Sequence, residues 1–253
     1  GAAGLTRHAP AVQSAGMNLT LSALGLLPAT DWLAVVWLFV AWVGYARFAR
    51  HRAATRPSVL GATNQVRLLW MRQTTWRENR VVDGVVVQSL STSPSFFAST
   101  TILIIGGLLA VLGTTDRASE LVREIPFAAR TTALVFDLKV ALLTAIFVYA
   151  FFRFTWSMRQ YTFGALLVAS APPHDAPWTD EAREAFAQRA GRVMGLAAET
   201  FNDGLRAYYM AFAAIAWFFS PWACIAATAF VIGVLYRREF QSDVLALLID
   251  TPR

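Results

Sequence analysis

Charged side chains are scarce in this chain of 253 residues: Asp, Glu, Lys and Arg together make up 15%, whereas hydrophobic residues make up 56%. Soluble domains carry about a quarter charged residues, so a single water-soluble core fits this composition poorly. The apolar residues also lie in long blocks separated by short charged stretches. The pattern predicts an all-α fold, a polytopic transmembrane helical bundle whose helices extend into the cytoplasm.

Cysteine and histidine are rare as well. Cys224 is the sole cysteine, which excludes an intrachain disulfide and a site made of several thiolates. The three histidines lie outside the predicted crossings, which excludes a bis-histidine haem within the membrane; they are His8, His51 and His174. The chain has no glycine-rich phosphate loop, no His-Glu-x-x-His and no Gly-x-Ser-x-Gly. We therefore expect no cofactor, no metal and no catalytic residues, with an intramembrane lipid-modifying enzyme as the exception left open.

The net charge of +6 comes almost wholly from arginine, because Lys139 is the only lysine. Most arginines flank apolar blocks, as membrane topology requires, so we expect no nucleic-acid partner. A first group of arginines lies between residues 47 and 80, a stretch in which Glu78 is the one acidic residue. The group comprises Arg47, Arg50, Arg52, Arg56, Arg67, Arg72, Arg77 and Arg80. By the positive-inside rule this segment is cytoplasmic. We expect an inner (plasma) membrane protein with its N-terminus outside and its C-terminus in the cytoplasm.

The apolar blocks predict five crossings, and four remain possible. Thr30 or Asp31 is expected to cap the first crossing, and Ser93-Pro94 to mark the boundary before the second. The predicted crossings cover residues 31–48, 96–112, 131–152, 201–219 and 222–236. Residues 1–30 are expected to form an outer extension, residues 31–240 one bundle with cytoplasmic segments 49–92 and 154–200, and residues 241–253 a short tail.

Two features of the cytoplasmic segments carry local predictions. The third helix is expected to run past the inner surface until Ala171-Pro172-Pro173, and Thr179 is expected to cap the next helix. The tryptophan- and arginine-containing stretch 66–77 has two open interpretations. It either lies in the lipid headgroup region or packs as a helix against the bundle.

The apolar stretch 205–236 is too long for one straight crossing of a hydrocarbon core about 30 Å thick. It is interrupted at Ser220-Pro221, and proline lacks the amide hydrogen that a helix interior needs. Tryptophans flank this point, and tryptophan prefers the membrane–water boundary. We therefore predict a tight membrane hairpin that turns at Ser220, Pro221 and Trp222.

Charged residues inside the predicted crossings are the candidate functional residues, because a charge within a bilayer is costly. Asp137 and Lys139 lie near the outer end of the third crossing, two residues apart, so they point to different sides of the helix. Each is either part of a ligand pathway or a structural contact between helices.

A second polar cluster lies where the fourth crossing enters the membrane. Glu199, Asn202 and Arg206 share one helix face, and the two former residues are expected to steady the arginine. Asp203 belongs to the same cluster, and Arg153 or Arg159 of the third helix is expected at the same inner level. The cluster is either a site for a substrate or an anionic lipid, or a hydrogen-bonded helix interface.

Several segments between residues 31 and 240, in their order and spacing, resemble a family of bacterial and plant integral membrane proteins catalogued as domain of unknown function 599. They are GATN (61–64), FDLK (136–139), FTWSMRQY (154–161), WFFSPW (217–222) and VLYRREF (234–240). The resemblance implies a multi-pass membrane protein and carries over no activity, ligand or catalytic residue.

Two functions remain open from the sequence. The first is a structural or accessory membrane component that acts through helix–helix contacts. The second is a transporter or channel for a small solute, ion or lipid, formed by an oligomer and using Asp137, Lys139 and the polar cluster 199–206. Membrane lipids, further copies of the chain or a membrane-protein complex are the expected partners.

Overall fold

The computed structural model describes residues 27–53, 55–114 and 132–249, and expectations for residues 1–26, 115–131 and 250–253 lie outside this part. Every regular element in the described residues is helical, which confirms the all-α fold. The helices are α1 (Ala29–Ala53), α2 (Val59–Thr74), α3 (Val81–Leu112), α4 (Ala133–Ser170), α5 (Asp180–Ile215), α6 (Pro221–Phe240) and α7 (Asp243–Ile249), with a 3-10 turn at Ala216–Phe218.

Hydroxyl side chains cap two of the helices, and the cap at Thr179 was predicted from the sequence. The Thr179 hydroxyl accepts a hydrogen bond from the Ala182 amide at 3.2 Å and begins α5. The Ser220 hydroxyl accepts one from the Ala223 amide at 3.0 Å, with Pro221 in the first turn of α6. Proline fits there because the amides of that turn have no helical partner. The chain therefore turns between α5 and α6 at this point, and Trp222 is exposed just after the turn.

The half of the molecule that contains the turn between α5 and α6 is called the upper half here. It is an apolar bundle of α1, α3, α4, α5 and α6. Helix α4 packs between α3 and α5, and α6 packs against α1 and α5. Gly204 of α5 lies close against α4, since an added Cβ there would lie 2.5 Å from a ring carbon of the fully buried Phe154. A larger residue at this position would displace the ring, so the glycine sets the distance between α4 and α5.

The lower half is a second core formed by α2 and by the lower parts of α3, α4 and α5. Met71 of α2 and Met194 of α5 are fully buried in it, together with Tyr161 of α4. Helix α2 packs along α5. Of the two interpretations left open for residues 66–77, the structure has the helix that packs against the bundle.

Two predicted boundaries are wrong. Helix α3 begins at Val81 and runs through Pro94, so Ser93-Pro94 does not separate it from the preceding segment. Pro94 removes one amide donor only, and a helix tolerates this where neighbouring helices support it. Helix α1 begins at Ala29, and Asp31 lies inside its first turn instead of capping it.

Within the described residues, three helices are long and apolar enough to cross a membrane, namely Ala29–Arg52, Val81–Leu112 and Ala133–Ser170. At 1.5 Å per residue the last two are about 48 and 57 Å long, so both extend beyond a hydrocarbon core of about 30 Å. The first half of α5 is polar, and α6 ends in Arg237, Arg238 and Glu239. Length and composition therefore support a membrane protein with three spans, and the five predicted crossings are not confirmed.

Candidate functional site

A buried polar cluster lies at the end of the bundle that the sequence predicts to face outside. The Lys139 ammonium is 2% exposed and donates a hydrogen bond to the Trp217 carbonyl at 2.8 Å. The Trp217 indole in turn donates to the Asp31 carboxylate at 2.6 Å. Three separate parts of the chain, α1, α4 and the turn after α5, are joined in this way. We call these three residues the outer clamp.

The outer clamp corrects one expectation and agrees with another. Asp31 was expected to cap a helix, and the sequence gives no sign of its partner, because Trp217 lies 186 residues further along the chain. Lys139 is buried while Asp137 is half-exposed, as their spacing predicts. A carboxylate on the apolar first turn of a crossing was the signal that could have identified Asp31.

A second polar cluster lies at the inner level, and Asp203 is its centre. One carboxylate oxygen accepts a hydrogen bond from Arg206 at 3.0 Å, and the other accepts from Arg153 of α4. The expected approach of Arg153 is therefore observed. The expected role of Glu199 in steadying Arg206 is wrong, because its carboxylate accepts from the Asn64 side chain at 3.3 Å instead.

The other two residues predicted for this cluster, Asn202 and Arg159, do not lie together. Asn202 lines a cavity beside Arg206, although Asp203 and not Asn202 accepts the hydrogen bond from that arginine. Arg159 stays outside the cluster, since its side chain is exposed and its guanidinium lies 5.7 Å from the centre of the Phe163 ring. Of the two predicted α4 arginines, only Arg153 joins the inner cluster.

The inner cluster borders a cavity of about 270 Å³, enclosed by α1, α2, α5 and α6. Three arginines from three different helices reach it, Arg67, Arg206 and Arg238, whereas Glu239 is the one acidic residue among the described lining residues. We call this cavity the arginine pocket. Its lining residues are Tyr45, Val59, Leu60, Thr63, Arg67, Asn202, Leu205, Arg206, Tyr209, Leu235, Arg238 and Glu239.

Arg67 is the residue of the arginine pocket that the sequence analysis did not single out. Its guanidinium donates to the Asn64 side-chain oxygen at 2.8 Å and to the Thr63 hydroxyl at 3.1 Å. Burial lowers the pKa of Arg67 below its ordinary value, because desolvation disfavours the charged form. No carboxylate of the described residues forms an ion pair with it.

The other charged groups of the arginine pocket differ in how far they are neutralised. Arg238 donates to the Tyr209 hydroxyl and likewise has no carboxylate partner in the part of the chain that the structure describes. Glu239 accepts from the Leu60 amide at 3.2 Å, so its charge faces the positive end of the α2 dipole. Asp203 offsets the charge of Arg206, and the Glu199 carboxylate acts on Arg67 through space without forming an ion pair.

Comparison with known proteins gives one positive result. Neither the curated proteins nor the solved structures gave a match. A family model described as "Protein of unknown function, DUF599" matches residues 33–244, a range that contains the whole arginine pocket. The resemblance noted in the sequence is thereby confirmed, and the chain belongs to the DUF599 family.

Proposed function

We propose that this chain is an accessory, non-catalytic protein of the inner (plasma) membrane with five crossings, and that its arginine pocket binds a phosphate group at the cytoplasmic surface. One observation carries the proposal. Arg67 and Arg238 face a common cavity, and neither has a carboxylate partner among the described residues.

A phosphate group fits this pocket for physical reasons. A partly buried guanidinium loses hydration, and an anion that accepts several of its N–H donors compensates for that loss. Arg67 of α2 and Arg238 of α6 line the same cavity, together with Tyr45 and Tyr209. Arginine binds phosphate oxygens in a bidentate geometry, which suits a phosphate monoester or a phosphodiester equally.

Two polar levels support the proposal of five crossings. The outer clamp and the inner cluster are about four helical turns apart, or about 21 Å, in each of three helices. The pairs of residues that mark the two levels are Asp31 and Tyr45 in α1, Lys139 and Arg153 in α4, and Trp217 and Asp203 around α5. Helix α5 thus covers the same distance as two of the candidate spans. Helix α6 returns from the hairpin turn to Glu239 in the arginine pocket.

The topology makes a direct prediction for reporter fusions. Alkaline phosphatase fused after Ser220 should be active, because the hairpin turn is expected outside, where the enzyme's disulfides form. The same reporter fused after Phe240 should be inactive, whereas green fluorescent protein at that position should fluoresce. Enzymatic activity at both positions would leave α6 outside the membrane and would contradict five crossings.

The arginine pocket makes a prediction for ligand binding. Changing Arg67→Gln and Arg238→Gln together should weaken binding of palmitoyl-oleoyl phosphatidylglycerol about tenfold or more, because two charge-assisted contacts are lost. Native mass spectrometry of lipid-titrated protein measures the dissociation constant. Glycerol phosphate, added in a parallel titration, distinguishes a soluble phosphate ligand from a lipid headgroup.

The control for this prediction is Arg72→Gln on the same helix. Arg72 is exposed, pairs with Glu184 at 2.7 Å and does not line the arginine pocket. It should leave both dissociation constants unchanged. Equal binding by the double variant and the unchanged protein, for lipid and glycerol phosphate alike, would refute the proposal.

The accessory role has a second observation in its favour, an exposed apolar surface on the lower half of the molecule. Trp156, Phe163 and Leu166 of α4 and Val82 and Val85 of α3 are all exposed there. Apolar patches on a non-membrane surface are typical of contacts with another protein. A foreign subunit at fixed stoichiometry in gently extracted material would support assembly into a membrane complex.

Transport by an oligomer has less support from the geometry. Between Lys139 and Arg206, the described core of the monomer is filled by Phe147, Ala150 and Met210, all of which are buried. A solute would therefore need a path between copies of the chain.

A further inference from the structure

A separate groove of about 360 Å³ lies between α1 and α4 in the upper half of the molecule. Helices α1 and α4 make few contacts with each other there, because each packs mainly against other helices. The groove shares no residue with the arginine pocket. Its lining residues are Phe39, Trp42, Val43, Ala46, Arg47, Arg50, Leu142, Ala145, Ile146 and Tyr149.

The groove changes in character along its length. Its outer part is apolar, with Phe39 of α1 and Leu142 and Ala145 of α4 among its lining residues. Aromatic rings cross its middle: the Trp42 and Tyr149 rings meet edge to face at 5.5 Å. The inner end carries two arginines of α1, Arg47 and Arg50, one turn apart on the helix. One elongated surface therefore combines an apolar wall, aromatic rings and a cationic end. This order matches the acyl chain, the interfacial region and the headgroup of a phospholipid.

The two arginines of the groove are available to a ligand. Arg47 and Arg50 are both exposed, and neither forms an ion pair with a carboxylate within the described ranges. The Arg50 Nε atom donates only to the Ala46 carbonyl of its own helix, at 3.1 Å. The remaining guanidinium donors of this pair can therefore contact one phosphate from the side of the groove.

We propose that this groove is a binding site for one anionic phospholipid of the inner leaflet. The phosphate lies against Arg47 and Arg50, and one acyl chain lies along the apolar wall between α1 and α4. Charge complementarity selects an anionic headgroup over a zwitterionic one, and the wall selects a lipid over a soluble phosphate. This site is distinct from the arginine pocket and does not depend on the function proposed for that pocket.

The test uses the Arg67→Gln/Arg238→Gln protein as background, so that lipid in the arginine pocket does not contribute to the signal. In this background, changing Arg47→Gln and Arg50→Gln should weaken binding of palmitoyl-oleoyl phosphatidylglycerol about tenfold and should leave binding of the phosphatidylcholine analogue unchanged. Arg237→Gln is the charge control, because this exposed arginine of α6 lines neither cavity.

A second variant tests the apolar wall. Ala145→Phe should fill the groove and weaken binding of both lipids, and its exposed side chain displaces nothing in the core. Ala226→Phe, at an exposed position of α6 outside both cavities, should have no effect. Circular dichroism verifies that each variant is folded.

Three results would overturn the proposal. They are equal binding of the two lipids before the groove is changed, unchanged binding in the arginine variant, and a change of oligomeric state in Ala145→Phe without a loss of lipid. The last result would identify the groove as an interface between copies of the chain.

Discussion

Asp203→Asn should destabilise the protein by about 3 kcal/mol, one of the two largest effects expected of any single change. Among the described residues, Asp203 is the carboxylate that pairs with both Arg153 and Arg206. Its side chain is 20% exposed and that of Arg206 is 11% exposed, so water screens this pair only in part. The neutral amide leaves two guanidinium groups close together without a counter-charge, and such a loss costs more than the original pair contributes.

The measurement for Asp203 is the free energy of unfolding in mixed detergent micelles. Glu199→Gln is the matched control, because Glu199 lies one turn away and bonds to Asn64 instead of Arg206. It should cost less than about 1 kcal/mol, the net value of an ordinary hydrogen bond. A larger loss in Glu199→Gln than in Asp203→Asn would restore the expectation from the sequence, in which Glu199 steadies Arg206.

Asp31→Leu should have a similarly large effect, about 3 kcal/mol, at the outer clamp. It removes the acceptor of the Trp217 indole and the negative charge nearest to the buried Lys139. Asp31→Asn separates these two losses, because the amide oxygen still accepts from the indole while the charge is gone. We expect the asparagine variant to lie between the leucine variant and the unchanged protein.

The double variant Asp31→Leu/Lys139→Met tests whether the two charges act together. When both partners of a buried polar pair become apolar, no uncompensated charge remains, so much of the lost stability should return. Thermal unfolding of the two single variants and the double variant completes the cycle. Strictly additive losses would mean that Asp31 and Lys139 are independent structural residues and that no clamp exists.

Sequence predictions were accurate where the structural feature is set by residues close together in the chain. The Thr179 cap, the break at Pro221 and the helix end before Pro172 follow from the backbone chemistry of the residues themselves, and the structure has all three. The boundary predicted at Pro94 is wrong, because a proline ends a helix only if the surrounding helices do not support it. The same residue type thus has two outcomes that the local sequence does not separate.

The partners of the charged residues were predictable only in part. Helix periodicity placed Asp203 near Arg206, since both lie within one turn of α5. It could not choose between Asp203 and Glu199, because that choice depends on which carboxylate faces Arg153 of α4. Arg67 was seen as one of many cytoplasmic arginines, and its place in the arginine pocket became clear only when α2 was packed against α5 and α6.

By itself, the sequence determined the helical class of the protein and the break between helices at Pro221, because hydrophobicity and proline act over a few residues. Only the tertiary structure decided which polar groups meet. Asp31 and Trp217 are 186 residues apart, and Leu60 and Glu239 are 179 residues apart, yet each pair is hydrogen-bonded. The free energy of burying a charge depends on the groups that surround it after packing, and no local pattern contains that information.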